Sequence, residues 1–491
     1  MAAQSGRERL FEALSDDLRG LIREGVFAPG QRLPSLRTLA RERGVSIATV
    51  LKAYRDLEDE GYLRARPQAG FYVRSTVRTD GAAMAATDPP TRSVEVTTGP
   101  LVYEMLRTLA DPALVPLGGA IPAPELLPVD ALRRLLRRRL RGNDARAEVE
   151  AVPAGFGELR RAIARCMLHA GCTENPEDIV VTNGCMEALN LALRAVAAPG
   201  DTIAVESPTY FGVLQALDDL GLKALELPTD PHTGIDTGRL LEAARLGRIR
   251  AAVLSPTVQN PLGAVMPVAA KRTLCEGMAA LGVPIIEDDI YGEMGFAGNE
   301  RPPALKAFDR GGNVLYCSSF SKTLAPGYRV GWIVPGRFLE RVQVLKASSS
   351  FATSGPAQLA IADYLGVPGY QSHVRRQRKV FESSLAQAMA AIEARFPTAT
   401  CMTHPQGGYL LWVQVPGVDS YALYRRALER GVTIAPGRLF SAHDAYRDCF
   451  RLNCGHPWSA RIEAAIGTIA DCAVALSGAR PTLEAEIEEV G

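Results

Sequence analysis

The sequence has almost no net charge: 55 Lys and Arg stand against 54 Asp and Glu, so overall charge points to neither nucleic acid nor a membrane surface. It lacks an unbroken apolar run of membrane-spanning length. Charges interrupt "MAAQSGRERLFEAL", where a secretory leader would need an apolar stretch, and the expectation is a soluble, cytoplasmic protein. Cysteine is sparse and unpaired in pattern. The nine residues, from Cys166 to Cys472, form no CxxC pair and no zinc spacing, which predicts reduced thiols and excludes a disulfide framework. What is present is ordinary for a globular chain, 47% hydrophobic and 22% charged, which argues against wholesale disorder. At 491 residues, two or three domains are expected.

The neutral total hides a local surplus. Residues 1–75 hold 13 Arg and Lys against 10 Asp and Glu. Within them "ERLFEALSDDLRGLIREG" repeats apolar residues at helical spacing and stops at Gly25. Ser35 is placed to cap a second helix, "LRTLARERG", and Ser46 a third, "IATVLKAYRDLEDEG". "YLRARPQAGFYVR" then reads as two short strands about a "PQAG" turn. Three helices and a hairpin in this order predict a winged helix-turn-helix over residues 1–75. A small interaction module has the same outline. Arginines on the second helix (Arg37, Arg41, Arg43), Ser46, Thr49 and Lys52 at or near the start of the third, and Arg64 and Arg66 on the hairpin favour DNA, because a recognition helix presents its first residues to base edges while neighbouring cations hold phosphates.

The stretch "GQRLPSLRTLARERGVSIATVLKAYRDLEDEGYLRARPQAGFYV" resembles the GntR family of bacterial repressors. The resemblance implies that Arg37, Ser46, Thr49 and the wing about Arg66 and Gly70 touch DNA.

Residues 76–98 are rich in Ala, Thr, Asp and Pro without sustained periodicity, and predict a tether. Beyond it, apolar runs alternate with helical stretches: "DIVVT", "TIAVESP", "RAAVLSP", "VPIIEDDIY" and "NVLYCSSFS" are the runs. Repeated βα units imply a mostly parallel sheet covered on both faces, with ligands beyond the carboxyl ends of its strands. After successive runs come Gly184 and Cys185 opening a helix, Tyr210, Asn260, Asp288 with Tyr291, and Lys322 among Ser319 and Ser321. Taken singly, each has an ordinary explanation: "SSFSKTLAPGYRVGW" alone reads as a solvated turn. Together they supply a phosphate cradle, an aromatic plate, an amide, a carboxylate and an amine, the set that pyridoxal 5'-phosphate (PLP) needs.

"SPTYFG", "QNPLG", "EDDIYGE", "SFSKTLAPGYRVGW" and "FRLNCG" give residues 99 to about 480 a resemblance to the class I/II aminotransferases of fold type I. The implied fold is an α/β domain, a mostly parallel sheet flanked by helices with a small C-terminal α+β part, and an acidic tail follows at 481–491. The resemblance implies that Lys322 forms the Schiff base with PLP, Asp288 pairs with the pyridine nitrogen, and Tyr291 and Asn260 hold the ring oxygen. Tyr210 would stack on the ring. Ser319, Ser321 and Arg329 would take the phosphate with the N–H groups of Gly184 and Cys185, and Arg451 a substrate or effector carboxylate. Cys185 and Met186 stand where many aminotransferases place Ser, Thr or Gln.

A GntR-type reader joined to an aminotransferase-like domain resembles the MocR family of bacterial regulators. That implies a homodimeric transcription factor that binds an operator and senses PLP or an amino compound. An aminotransferase with an accessory DNA-binding domain, and a regulator whose large domain is a dimerisation scaffold, are the alternatives. Lys322 and Asp288 weigh against the scaffold, which needs neither.

Overall fold

Ser35 has extended backbone and its hydroxyl accepts from the Thr38 N–H at 3.2 Å, so helix α1 (Leu36–Arg43) starts where its residue type predicts. It ends at Gly44, whose φ of 63° is left-handed. Helix α2 (Ile47–Asp59) follows, and strands β1 (Leu63–Arg66) and β2 (Gly70–Val73) pair antiparallel, Arg66 opposite Gly70. The computed structural model describes residues 14–15, 17–18, 20–21, 26–27, 31–59, 63–66, 70–73, 84, 86–90, 92–97, 99–108, 111–141, 145–296 and 301–478. The expected first helix therefore lies mostly outside the described residues, as does the whole 481–491 tail. Leu14 and Leu18 are buried with Leu39, Val50, Tyr54 and Leu57 in a core of their own.

The chain divides into two units, Met1–Ala82 and Ala83–Gly491. The second is built on a large sheet ordered β3-β6-β5-β8-β9-β10-β11-β4, with β7 (Gly234–Ile235) added to β6. Its members are β3 (Val94–Glu95), β4 (Val180–Thr182), β5 (Thr202–Ser207), β6 (Lys223–Asp230), β8 (Ala251–Leu254), β9 (Ile285–Asp288), β10 (Val314–Ser319) and β11 (Gly331–Val334). From β6 to β10 the pairing is parallel, and β11 runs antiparallel to both β10 and β4. The carboxyl ends of β4, β5, β8, β9 and β10 therefore share one edge, and the reversed β11 starts there. Apolar cores cover both faces, one around Leu189, Val205 and Ile286, the other around Leu240, Leu274 and Ile285. A smaller antiparallel sheet, β12-β13-β15-β14 (Cys401–Met402, Leu410–Gln414, Cys449–Asn453, Ala435–Pro436), packs with the helices Tyr370–Arg395 and Ala460–Ser477. No helix among the described residues is long and apolar enough to cross a membrane.

The tether expected over 76–98 needs correction in its second half. Val94 and Glu95 form the edge strand β3 against Ala224 and Lys223. The Thr87 hydroxyl donates to the Ser207 carbonyl at 2.5 Å and accepts from the Thr229 N–H at 3.2 Å, Asp88 pairs with Arg239, and Met84 packs on the cluster containing Phe211 and Phe440. A polar, Pro-rich sequence is held here by groups far away along the chain.

Candidate functional site

In the first unit, Arg37 is exposed on α1. The Ser46 hydroxyl accepts from the Thr49 N–H at 3.1 Å and lies 2.8 Å from the Thr49 hydroxyl, so this pair also fixes the start of α2. A groove of about 340 Å³ is lined by Arg32, Ser35, Arg37, Ile47, Tyr54 and Gly70 among others, bringing the start of α1, the start of α2 and the wing together. Gly70 has a φ of +99°, and a side chain there would meet the Arg32 guanidinium at 3.3 Å. Arg32 is exposed and was not singled out by the sequence pattern; its only signal is its place in "GQRLPS". The backbone of Arg66 lies on β1, and its side chain is outside the described residues.

In the second unit, residues from six segments meet at the shared strand edge. Gly184, in the turn after β4, has a φ of +84°, and a Cβ on it would fall 2.4 Å from a terminal nitrogen of Arg329. Arg329 itself has left-handed backbone just before β11 and donates to the Asn183 carbonyl at 3.3 Å. Gly331 follows, and a Cβ there would lie 2.6 Å from the Gly184 carbonyl carbon. The guanidinium thus lies against the N-terminus of the helix Cys185–Val196, whose free N–H groups and dipole favour an anion. Ser319 and Ser321 are buried nearby. The Ser319 hydroxyl accepts from the Ser321 N–H, and the Ser321 hydroxyl has no partner among the described residues. A buried hydroxyl is normally bonded, so an oxygen-rich ligand group fits here.

Lys322 is enclosed. Its amine donates to the Ala120 carbonyl at 2.5 Å, which also accepts from the Tyr409 hydroxyl at 2.9 Å, and sits 5.8 Å from the centre of the Tyr291 ring. Burial, and then the Arg451 cation, push its pKa down to about 8. Asp288 at the end of β9 is buried, accepts from the Cys185 thiol at 3.4 Å, and is pushed up to about 6 chiefly by burial. A cationic ring nitrogen beside it would offset that cost. The Tyr210 ring lies on Gly212, where a Cβ would come within 2.5 Å of it. Arg451 is fully buried. It donates to the Asn260 side-chain oxygen and the Gly118 carbonyl, both at 3.0 Å, and its guanidinium lies 5.1 Å from the Phe440 ring centre. Its Nε has no partner among the described residues. The donors, the partnerless hydroxyl and the side-chain-free cradle fit a phosphate-bearing pyridine aldehyde.

Glu206 carries no signal of its role in the sequence pattern. Buried on β5, it accepts from the Ser255 N–H at 3.1 Å and from Gln259 at 3.4 Å, and Gln259 also donates to the Pro208 carbonyl at 2.8 Å. These bonds tie the loop carrying Tyr210 to the loop carrying Asn260. Burial pushes the Glu206 carboxyl up to about 8.

The architecture defines a class: a helix-turn-helix unit joined to an aminotransferase fold. Residues 10–73 match the bacterial regulatory proteins of the gntR family, and residues 134–469 match the aminotransferases of class I and II, a PLP-dependent fold. The chain is 39% identical to the HTH-type transcriptional regulator YdcR of Escherichia coli, over 93% of this chain and 97% of YdcR. To YjiR of the same organism it is 37% identical, over 94% and 98%. Among solved structures it is similar to LysN, the alpha-aminoadipate aminotransferase of Thermus thermophilus complexed with N-(5'-phosphopyridoxyl)-L-leucine. That similarity has a TM-score of 0.72 and 27% identity, and covers 78% of this chain and 96% of LysN. The chain belongs to the MocR family of transcriptional regulators, in which a GntR-type reader precedes an aminotransferase-like domain.

Proposed function

We propose that this regulator binds its operator through the first unit, takes PLP at Lys322, and changes its hold on DNA when PLP, or an amino compound reacting with it, occupies the second unit. The observation that carries the sensing half is the enclosure of Lys322 with Asp288, Ser321, Arg329 and Arg451 at one strand edge, an arrangement a scaffold would not need. Bound there, PLP supplies an aldehyde for an amine and a ring that draws electrons from it. Gly184, Ser319, Ser321 and Arg329 would hold the phosphate, Asp288 would keep a proton on the ring nitrogen, and Tyr210 would cover one ring face. Tyr291 and Asn260 would hold the ring oxygen, and Arg451 would grip a carboxylate with two parallel bonds.

The linker offers a physical route for the response. Thr87 is fixed to Ser207, three residues before Tyr210, and Met84 packs on the cluster that Tyr210 adjoins. A ligand that resets the Tyr210 loop differently in two states would shift the population of linker positions.

The reading half is tested at Arg37. Arg37→Ala is expected to weaken operator binding about tenfold and to lower the salt dependence by about one phosphate, with PLP binding unchanged. Operator binding equal to the parent's would show that the reading surface lies elsewhere. We further propose a homodimer, because two linked reading heads hold two half-sites more tightly than one. Light scattering at micromolar concentration should give twice the 52.7 kDa chain mass, and a monomer mass would contradict it.

A further inference from the structure

The helix α3 (Val129–Arg141), of sequence "VDALRRLLRRRLR", belongs to neither the reader nor the lysine site. It carries six arginines and one aspartate, a surplus of five, larger than the surplus of three over residues 1–75. Arg133, Arg134, Arg137, Arg138 and Arg141 are all exposed. At about 100° per residue these five fall within an arc of about 140°. Leu132, Leu135, Leu136, Arg139 and Leu140 occupy the remaining arc, Leu140 exposed at its rim. Leu132 is buried, and Arg139 makes a two-pronged contact with Asp363 at 2.8 and 2.5 Å. The helix is thereby fixed to the domain by its apolar side and presents an arginine face to solvent. Little acid offsets that face. Arg133 meets Asp130 at 3.6 Å, an exposed pair, and Arg138 shares Asp363 at 3.4 Å. Arg134, Arg137 and Arg141 have no ion pair among the described residues. Arg161 and Arg165, exposed on the helix Gly157–Met167, add two more cations on the second unit.

We propose that this arginine face is a second, sequence-independent DNA-binding surface, which holds duplex flanking the site that the first unit reads. The inference rests on the DNA-binding function proposed above. From Arg133 to Arg141 the helix rises about 12 Å. That length of duplex axis bears about seven phosphate charges, ample for five guanidinium groups. Arginine suits this role because its planar fork pairs with phosphate oxygens two at a time. The near-neutral total charge of the chain makes the segregation informative: cations concentrated on one helix must be balanced by acids elsewhere, which leaves a local field for a polyanion.

The test uses the full-length chain and two duplexes from beside its own gene, a short one limited to the reader's footprint and a long one extended on both sides. The variant Arg134→Gln/Arg137→Gln/Arg141→Gln keeps good helix formers on the exposed face. On the long duplex, the slope of log affinity against log salt should fall by about two to three, and affinity at low salt should drop tenfold or more. On the short duplex both should stay as in the parent. A matched variant neutralising Arg245, Arg310 and Arg341, exposed elsewhere on the second unit, should change neither. An unchanged slope on the long duplex overturns the proposal, and so does an equal loss in the matched variant. A change in oligomer mass in the triple variant also overturns it, because the face would then join two copies of the chain. If the parent shows no sequence selectivity on either duplex, the DNA-reading function itself fails. Selective binding by the parent with an unaltered triple variant leaves that function standing and removes only the second surface.

Discussion

Lys322→Ala is expected to abolish covalent retention of PLP. In the parent, borohydride reduction should fix the cofactor to the peptide containing Lys322 and remove the visible absorbance, because the enclosed amine is the nucleophile the aldehyde meets. Burial and the nearby Arg451 cation lower its pKa to about 8, so the neutral, reactive amine is reached at mildly alkaline pH rather than near 10.5. Attachment should therefore rise as pH increases through that value. The substitution removes the amine without touching the first unit, so operator binding without ligand should persist. Peptide mass analysis decides the matter. Cofactor recovered on another lysine, or none recovered from the parent, refutes the assignment.

Gly184→Val should be nearly as damaging by a different route. The backbone at Gly184 is left-handed, and a Cβ would fall 2.4 Å from a terminal nitrogen of Arg329, while the Gly184 backbone itself is packed against Gly331. Backbone strain and a displaced charge-assisted phosphate contact together cost about 3 kcal/mol or more, roughly a hundredfold in PLP affinity. Titration followed by absorbance should show that loss while the amine at Lys322 remains present. PLP affinity equal to the parent's would mean that the phosphate does not sit in this turn. The contrast with Lys322→Ala is useful, since one variant removes the covalent bond and the other the anion cradle.

Much of this architecture was legible in the sequence because buried parallel strands leave a continuous apolar signature. The strands β5, β8, β9 and β10 stood out for that reason, and the residues just past them are those that meet at the shared edge. The caps were equally local: Ser35 and Ser46 declared the starts of α1 and α2. Strand β6 was not legible, because Lys223, Glu226 and Asp230 break its pattern. Glu226 is nevertheless buried, accepting from the Ser207 and Ser441 hydroxyls. Residues 84–97 read as tether because their composition is that of a linker, and the groups that hold them, Ser207 and Thr229, are more than a hundred residues away. Contacts between separate segments likewise hid Ala120 and Tyr409 around Lys322, and the bracing of the Tyr210 and Asn260 loops by Glu206. Local chemistry marks the ends of elements and the reactive groups. What braces those groups comes from segments that only the fold brings together.

Communication between occupancy at Lys322 and the DNA reader is read by titrating the duplex from beside its own gene with the full-length protein. Titrations without ligand, with PLP, and with PLP plus an amino compound should be compared between the parent and Lys322→Ala. Both proteins should bind sequence-selectively, with a ligand-dependent change in affinity or bending in the parent that is largely lost in the variant. Residual response at high cofactor concentration is allowed, because an amine can react with free PLP. Equal ligand responses in the two proteins would rule out signalling through Lys322, and robust multiple-turnover transamination by a parent without sequence-selective DNA binding would rule out the regulator.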